Sequence, residues 1–322
     1  MRTIEISETG GPEVLTLGTR ETPEIADHQV LVKTIACGVN GPDMMQRKGL
    51  YPPPPGASDL MGLEVSGTIE AVGKDVSRWN VGDTICALTH GGAYAEHVAI
   101  NADHCLPIPD GVSAIDAAGL PETYFTVWSN LFYQRKISEG AKLLVHGGSG
   151  GIGITAVQLG AALGMEVYAT ASNADKCSFC ESHGAKRGIN YREEDFVEVM
   201  KSVGGADLVL DILGGDYIAR NLKAAAVDGR IVQLAYRKGS KVEVDWMPLM
   251  LKRLTFHGST LRARPDGFKA SIAADIEKNV WPMFTDGTCK PLTHATFPFE
   301  EVSAAHQMME DAGHVGKIIL TA

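Results

Sequence analysis

The stretch His146-Gly147-Gly148-Ser149-Gly150-Gly151-Ile152-Gly153 constrains this chain more than any other. It lies between the apolar run Lys142-Leu143-Leu144-Val145 and a helix-like run beginning at Ile154, so it reads as strand, turn, helix. Gly147, Gly150 and Gly153 fall at the spacing G-x-x-G-x-x-G. That spacing permits a tight turn, lets backbone N–H groups approach a pyrophosphate, and brings the following helix close to its strand with its N-terminus toward the anion. Ser149, Gly150, Gly151 and Ile152 are therefore candidate phosphate contacts. Glu166–Thr170 supplies a second strand at the distance a βαβ unit requires, which argues against a mere surface turn.

An acidic residue is expected about 20 residues beyond such a turn, where it would hold a ribose 2′-hydroxyl. Thr170-Ala171-Ser172-Asn173 stands there instead, with Lys176 one turn further on. Hydroxyl and amide donors plus a cation suit a 2′-phosphate and offer it no like-charge repulsion, which favours NADPH over NADH. Taken alone, Lys176 is equally an ordinary solvated helix lysine.

The 322 residues leave room for two or three domains. Up to about Pro121 the pattern is short alternating segments broken by Gly and Pro, among them Val30–Lys33, Val65–Ile69, Asp83–Ala87 and Tyr94–Val98. These predict a compact β-rich, barrel-like domain, and Pro52–Pro55 must be loop because four successive residues lack a backbone donor. From Tyr124 longer helical runs take over, and after Ala141 strand alternates with helix. Lys186–Asn190, Asp207–Ile212, Arg230–Leu234 and Leu254–Gly258 follow the first two strands and complete a doubly wound parallel sheet of six. The tail from about Leu292, with a helix near Val302–Met309, is expected to return to the first domain.

A net charge of -10 with no basic block repels a phosphate backbone, so nucleic acid is excluded as the main partner. No apolar run is long enough to span a bilayer, and Met1-Arg2-Thr3 opens directly into a strand-like segment, so a cytoplasmic protein is the expectation. The six cysteines are scattered, as in a reducing compartment. Cys177 and Cys180 have ligand-like spacing, but no second pair completes a tetrahedral site, and two plain helix cysteines is the simpler reading.

Five segments together carry a resemblance over essentially the whole chain: Gly10–Glu13, Cys37–Asp43, Gly62–Gly67, the glycine turn and Gly316–Leu320. They resemble the zinc-free quinone oxidoreductase branch of the medium-chain dehydrogenase/reductase superfamily. Gln46–Tyr51 with Pro53–Ser58 is most similar to the p53-inducible quinone oxidoreductase subgroup. The implied fold is α/β, a Rossmann sheet plus a β-rich GroES-like domain, with the GroES-like part at 1–122 and 265–322 and the NADPH-binding part at 123–264. The zinc alcohol dehydrogenases of this superfamily place a Cys, a His-Glu pair and a second Cys around the metal. Here Cys37 and Glu64 survive, but Leu63 stands in the His position and the four-cysteine lobe is missing, so no metal is expected.

Without a Lewis acid the acceptor must itself be electrophilic, which points to a quinone or conjugated carbonyl substrate. The resemblance places Asn40 at the nicotinamide with Asp43 supporting it, and Thr126 as a nicotinamide-side hydroxyl. Tyr51 either donates a proton at the mouth or packs over the proline loop. Tyr191, Tyr236, Ser172 and Lys176 are implied around the cofactor; Arg262 and Arg264 are candidates for a cofactor or bridging-loop contact, one of them being read as a solvated loop charge. An NADPH-dependent quinone reductase leads, against an enone or alkenal reductase and an NADPH-binding module with incidental redox activity. The β-rich segment Leu254–Thr260 reads as an open sheet edge, and both it and the resemblance imply a homodimer, or a tetramer, with Phe256 shielded.

Overall fold

The computed structural model describes all 322 residues, which divide into two compact units, Met1–Phe125 with Arg262–Ala322 and Thr126–Leu261. The first nine strands are β1 (Arg2–Ile6), β2 (Leu15–Thr19), β3 (Gln29–Val39), β4 (Glu64–Val72), β5 (Thr84–Leu88), β6 (His97–Asn101), β7 (Cys105–Pro107), β8 (Lys142–His146) and β9 (Glu166–Ala171). The remaining six are β10 (Arg187–Asn190), β11 (Ala206–Asp211), β12 (Ala225–Gln233), β13 (Thr255–Gly258), β14 (Thr293–Pro298) and β15 (Lys317–Thr321).

In the first unit, seven strands form one sheet in the order β14-β15-β3-β4-β5-β7, with β6 also pairing β3. The tail strands β14 and β15 thus close the sheet begun by the N-terminal half, giving the expected GroES-like domain. β3 is its axis: Val30, Val32, Thr34 and Ala36 alternate inward as a half-buried strand requires. Its core gathers Ile4, Val30, Val32, Val65, Ile85, Ile318 and Leu320. Tyr94 and Ala95, expected as strand, make only an isolated bridge from Ala95 to Thr3, and the β6 ladder starts at His97. Buried Tyr94 instead directs its hydroxyl to His306 at 3.0 Å. Residues 52–54 have no regular structure.

In the second unit six strands are all parallel, in the order β10-β9-β8-β11-β12-β13. β8 and β11 are its buried centre, reading as near-continuous apolar runs because helices cover both faces. After β8 the chain turns at Gly147, whose φ of +69° is a left-handed conformation. Gly153 lies against the turn so closely that a Cβ there would run into the carbonyl oxygen of Gly147 and the Cα of Gly148. Cys177 and Cys180 are free, buried thiols on the helix Ala174–Ser182.

Because the obstruction at Gly153 is backbone, Gly153→Ala should lower stability by about 2–4 kcal/mol in chemical denaturation, whereas Gly150→Ala, whose Cβ would make only an ordinary contact with the Gly147 carbonyl oxygen at 3.7 Å, should cost no more than about 1 kcal/mol. Equal costs at the two positions would contradict this reading of the turn.

Candidate functional site

The site residues of the first unit are set by what flanks the end of β3. That strand stops at Val39, and Asn40 is the N-cap of the helix Gly41–Arg47. β4 and β15 run antiparallel to β3 on either side, with Val65 opposite Cys37 and Ile318 opposite Val39. Glu64 and Lys317, the first residues of those strands, are thereby delivered to Asn40 from both flanks. Lys317 Nζ donates to Glu64 Oε1 and to Asn40 Oδ1, each at 2.6 Å, and Asn40 Nδ2 donates to Glu64 Oε1 at 2.8 Å. Glu64 Oε2 accepts the backbone N–H of Glu122 at 2.8 Å, at the start of the helix Pro121–Val127.

Asp43 supports Asn40 through the backbone rather than the side chain. Its Oδ2 accepts the Asn40 N–H at 2.8 Å and its Oδ1 accepts the Gly62 N–H at 3.0 Å. Burial nevertheless pushes the Asp43 carboxyl up to about 6 against these two donors. Burial and the neighbouring Glu64 carboxylate push Glu122 up to about 8. Tyr51 is half-buried, with its phenol raised first by burial and then by Glu122. Arg262 belongs to this unit: its guanidinium carbon is 5.6 Å from the Tyr51 ring, Nη1 donates to Gln46 Oε1 at 2.8 Å, and Nε donates to the His90 carbonyl at 2.9 Å. Arg264 lies over the Phe268 ring. His90, His104 and Asp266 cluster in a metal-like way, but Lys269 donates to His90 Nε2 and to the Arg262 carbonyl, so an internal ammonium already serves that group.

In the second unit no side chain caps the helix Gly151–Ala162, whose N-cap is Gly150. Its first-turn N–H groups are left for an anion, and a Cβ at Gly150 would meet only the Gly147 carbonyl, at 3.7 Å. Ser149, Gly151 and Ile152 flank this opening. Thr170 turns inward: its hydroxyl accepts the Gly147 N–H at 3.3 Å and pairs with His146 Nδ1 at 3.1 Å. It props the turn from behind and offers nothing to a ribose. Ser172 follows β9, and Asn173 spends its Oδ1 on the Lys176 N–H at 2.9 Å as the N-cap of the next helix.

The Lys176 ammonium is lowered by burial and then by Arg192. Arg192 was not foreseen. Its signal was the pair Tyr191-Arg192 directly after a strand: β10 is parallel to β9 with Asn190 opposite Ala171, so residues past Asn190 emerge beside Ser172 and Asn173. Tyr191 and Tyr236 are exposed at strand ends, Tyr236 lying against Gly214, and the Thr126 carbonyl accepts Asn130 Nδ2 at 2.9 Å. The open glycine turn and adjoining cations fit a dinucleotide phosphate chain.

Comparison with known proteins agrees with this architecture. A profile described as alcohol dehydrogenase GroES-like domain matches residues 26–110, and one described as zinc-binding dehydrogenase matches residues 151–276. Quinone oxidoreductase of Mus musculus is 32% identical over 99% of this chain and 97% of its own length. The structure of Escherichia coli quinone oxidoreductase complexed with NADPH superposes with a TM-score of 0.89 at 27% identity, covering 100% of both chains. JamJ enoyl reductase does so at 0.88 and 25% identity over 99% and 98%. The fold and site thus define an oxidoreductase of the medium-chain dehydrogenase/reductase type. The chain belongs to the quinone oxidoreductase-like part of that superfamily.

The zinc implied by one profile's description does not fit the residues present. Leu63 offers no donor atom, Cys37 is enclosed in β3 with its thiol pushed up by burial, and the donors that remain, Glu64 and Asn40, hold an ammonium. A divalent cation there would face that like charge.

Two outcomes are expected from this geometry. Lys317→Met should cost about 3–5 kcal/mol by leaving Glu64 buried without a cation, and adding Glu64→Gln should recover most of the loss. Denaturation curves showing no recovery in the double variant would contradict the pairing. Second, folded Glu122 keeps a proton that the unfolded chain releases near 4.5, so its contribution to stability is present below that pH and lost as pH rises through about 8. Glu122→Gln should therefore gain on the unmodified protein in melting temperature between about pH 5 and 9; a pH-independent difference would contradict the raised carboxyl.

Proposed function

We propose that this protein is an NADPH-dependent quinone reductase that works without a metal, of the p53-inducible quinone oxidoreductase subgroup, taking a quinone or conjugated carbonyl compound as acceptor. The observation that carries this reading is the Lys317 ammonium seated between Glu64 and Asn40, because it leaves the chemistry without a Lewis acid and so demands an acceptor that is electrophilic on its own. The bound cofactor supplies hydride from its nicotinamide C4. Gly150, Gly151 and Ile152 would hold the pyrophosphate, with Ser149 beside them, and Ser172, Lys176, Arg192 and Tyr191 the adenosine side with its 2′-phosphate. Asn40, Thr126 and Tyr236 are assigned to the remainder of the cofactor. Asp43 and Glu64 fix Asn40, and Tyr51 lines the acceptor's side.

An enone or alkenal reductase is the second reading, favoured by the likeness to JamJ enoyl reductase. Turnover of ortho-quinones against short alkenals with NADPH tests the assignment, and a clear preference for alkenals would overturn it.

The acting assembly is proposed to be a homodimer, with a tetramer as its further pairing. β13 is an open edge of the parallel sheet, and beside it the helix Met247–Leu251 buries none of its residues. Trp246, Met247, Met250 and Leu251 are all exposed, and Trp246 meets Phe256 of the edge strand edge-on at 5.8 Å. An unpaired edge continuous with an apolar patch suits a second copy related by a two-fold axis. No helix is long and apolar enough to cross a membrane.

NADPH should bind at least about tenfold more tightly than NADH, a difference of about 1.4 kcal/mol, and Lys176→Ala and Arg192→Ala should each narrow the gap in fluorescence titrations. Equal affinities in the unmodified protein would sink the 2′-phosphate pocket. Sedimentation should find a dimer at micromolar concentration, weakened by His257→Pro, and a monomeric unmodified protein would refute the interface.

A further inference from the structure

A cavity of about 560 Å³ opens in the second unit at the end of the sheet remote from the glycine turn. Its walls are the loop 134–141 before β8, Met165 before β9, the start of β11, and Arg230 in β12. These strands are parallel, so their beginnings share one edge of the sheet, whereas the turn follows the last residue of β8. The five residues of β8 set the two ends about 16 Å apart. The volume lies within the roughly 300–1,000 Å³ of small-molecule sites. The loop wall is pinned by backbone bonds: the Arg135 N–H donates to the Phe132 carbonyl at 3.0 Å and the Gly140 N–H to the Gly164 carbonyl at 2.9 Å.

A bulge delivers Arg230 to this end. Ala225 stands opposite Ala206, but the next pair is Arg230 with Leu208, so residues 226–229 leave the ladder and Arg230 re-enters it at the foot of β11. Asp228, the carboxylate inside that bulge, is spent on Arg253 at 2.7 Å. Arg230 makes no ion pair, and its Nη1 is buried without a hydrogen-bond partner. Burial, and after it the neighbouring Arg135, brings its guanidinium down to about 10, which leaves it charged at neutral pH. Two guanidinium groups thus face one another with a buried donor unmet, an arrangement that an anion would relieve. The cavity's own carboxylates are Asp207, which accepts the Lys142 N–H at 2.7 Å, and Glu139. Against them stand Arg135, Lys136 and Arg230, a surplus of one positive charge. Leu131, Met165 and Leu208 are buried and give the same cavity an apolar floor.

We propose that this cavity is a second ligand site, separate from the glycine turn, and that it takes a monocarboxylate carrying an apolar body. The guanidinium fork of Arg230 matches the two oxygens of a carboxylate, and Arg135 closes over the same charge from the loop. A single negative charge balances the surplus, whereas a phosphate dianion would exceed it and meet Asp207 and Glu139 as like charges. The apolar floor receives the body of the ligand.

The test uses the full chain, both free and saturated with NADPH, with octanoate as the probe. Calorimetric titration should find about one octanoate per chain, with an affinity that differs less than about twofold between the two preparations. 1-Octanol, which lacks the charge, and inorganic phosphate, which lacks the apolar body, should each bind at least about tenfold more weakly. Arg230→Met should weaken octanoate at least about tenfold, and Arg135→Ala, on an exposed loop position, at least about threefold; the second variant decides the matter if the first does not fold. Octanoate that fails to bind, that binds the folded variants as tightly as the unmodified protein, or that NADPH displaces overturns the proposal. Octanol or phosphate binding as tightly as octanoate overturns it as well.

Discussion

The Lys317 ammonium between Glu64 and Asn40 is the interaction on which the site of the first unit depends. A carboxylate with no solvent exposure cannot stay ionised without a partner, and removing one member of such a pair is far more costly than the pair's net worth. The same ammonium joins three elements, because Glu64 opens β4, Lys317 opens β15 and Asn40 begins the helix after β3. Through its second oxygen Glu64 also fixes the start of the helix Pro121–Val127. An internal cation thus holds Glu64 and Asn40 together at the end of β3. Burial, and after it the Glu64 carboxylate, raises Asp43 and Glu122, the two carboxyl groups that Lys317 does not touch.

The second unit is organised by a hydrogen-bond network around a buried imidazole. His146 pairs Nδ1 with Thr170 and Nε2 with Asn221 Oδ1 at 2.7 Å, and Asn221 Nδ2 donates to Asp211 Oδ2 at 2.9 Å. Asp211 Oδ1 in turn accepts the Leu213 and Gly214 N–H groups. The ends of β8, β9 and β11 and the helix Tyr217–Ala224 are tied together behind the glycine turn. Burial pushes the His146 imidazole down, keeping it neutral and the network intact. The turn can therefore present N–H groups outward without being loose.

What the sequence made legible was local. The glycine spacing, the alternating strands and the return of the tail each show in a short window of residues, and all six parallel strands formed where the apolar runs stood. What escaped was produced by register between distant segments. Lys317 lies 277 residues from Asn40 and reads in sequence only as part of a tail motif. Arg192 comes to act on Lys176 because β10 pairs β9, and Glu122, raised first by burial, also faces a carboxylate 58 residues earlier. Thr170 shows the opposite error: its hydroxyl stood in the right place along the chain but faces the strand side of the turn, since alternate residues of a strand point to opposite faces. Leu63 was informative because a leucine is silent as a ligand in any geometry.

The proposed reaction delivers hydride to an electrophilic acceptor with an ammonium, and no metal, at the core of the site. Single-turnover oxidation of bound NADPH by an ortho-quinone, followed optically in protein dialysed against a strong chelator and assayed for residual zinc, tests it most directly. The account predicts complete oxidation at the same rate before and after chelation, with zinc far below one per chain. Oxidation that disappears with the chelator and returns with zinc, or NADPH that persists unoxidised in both samples, would contradict it.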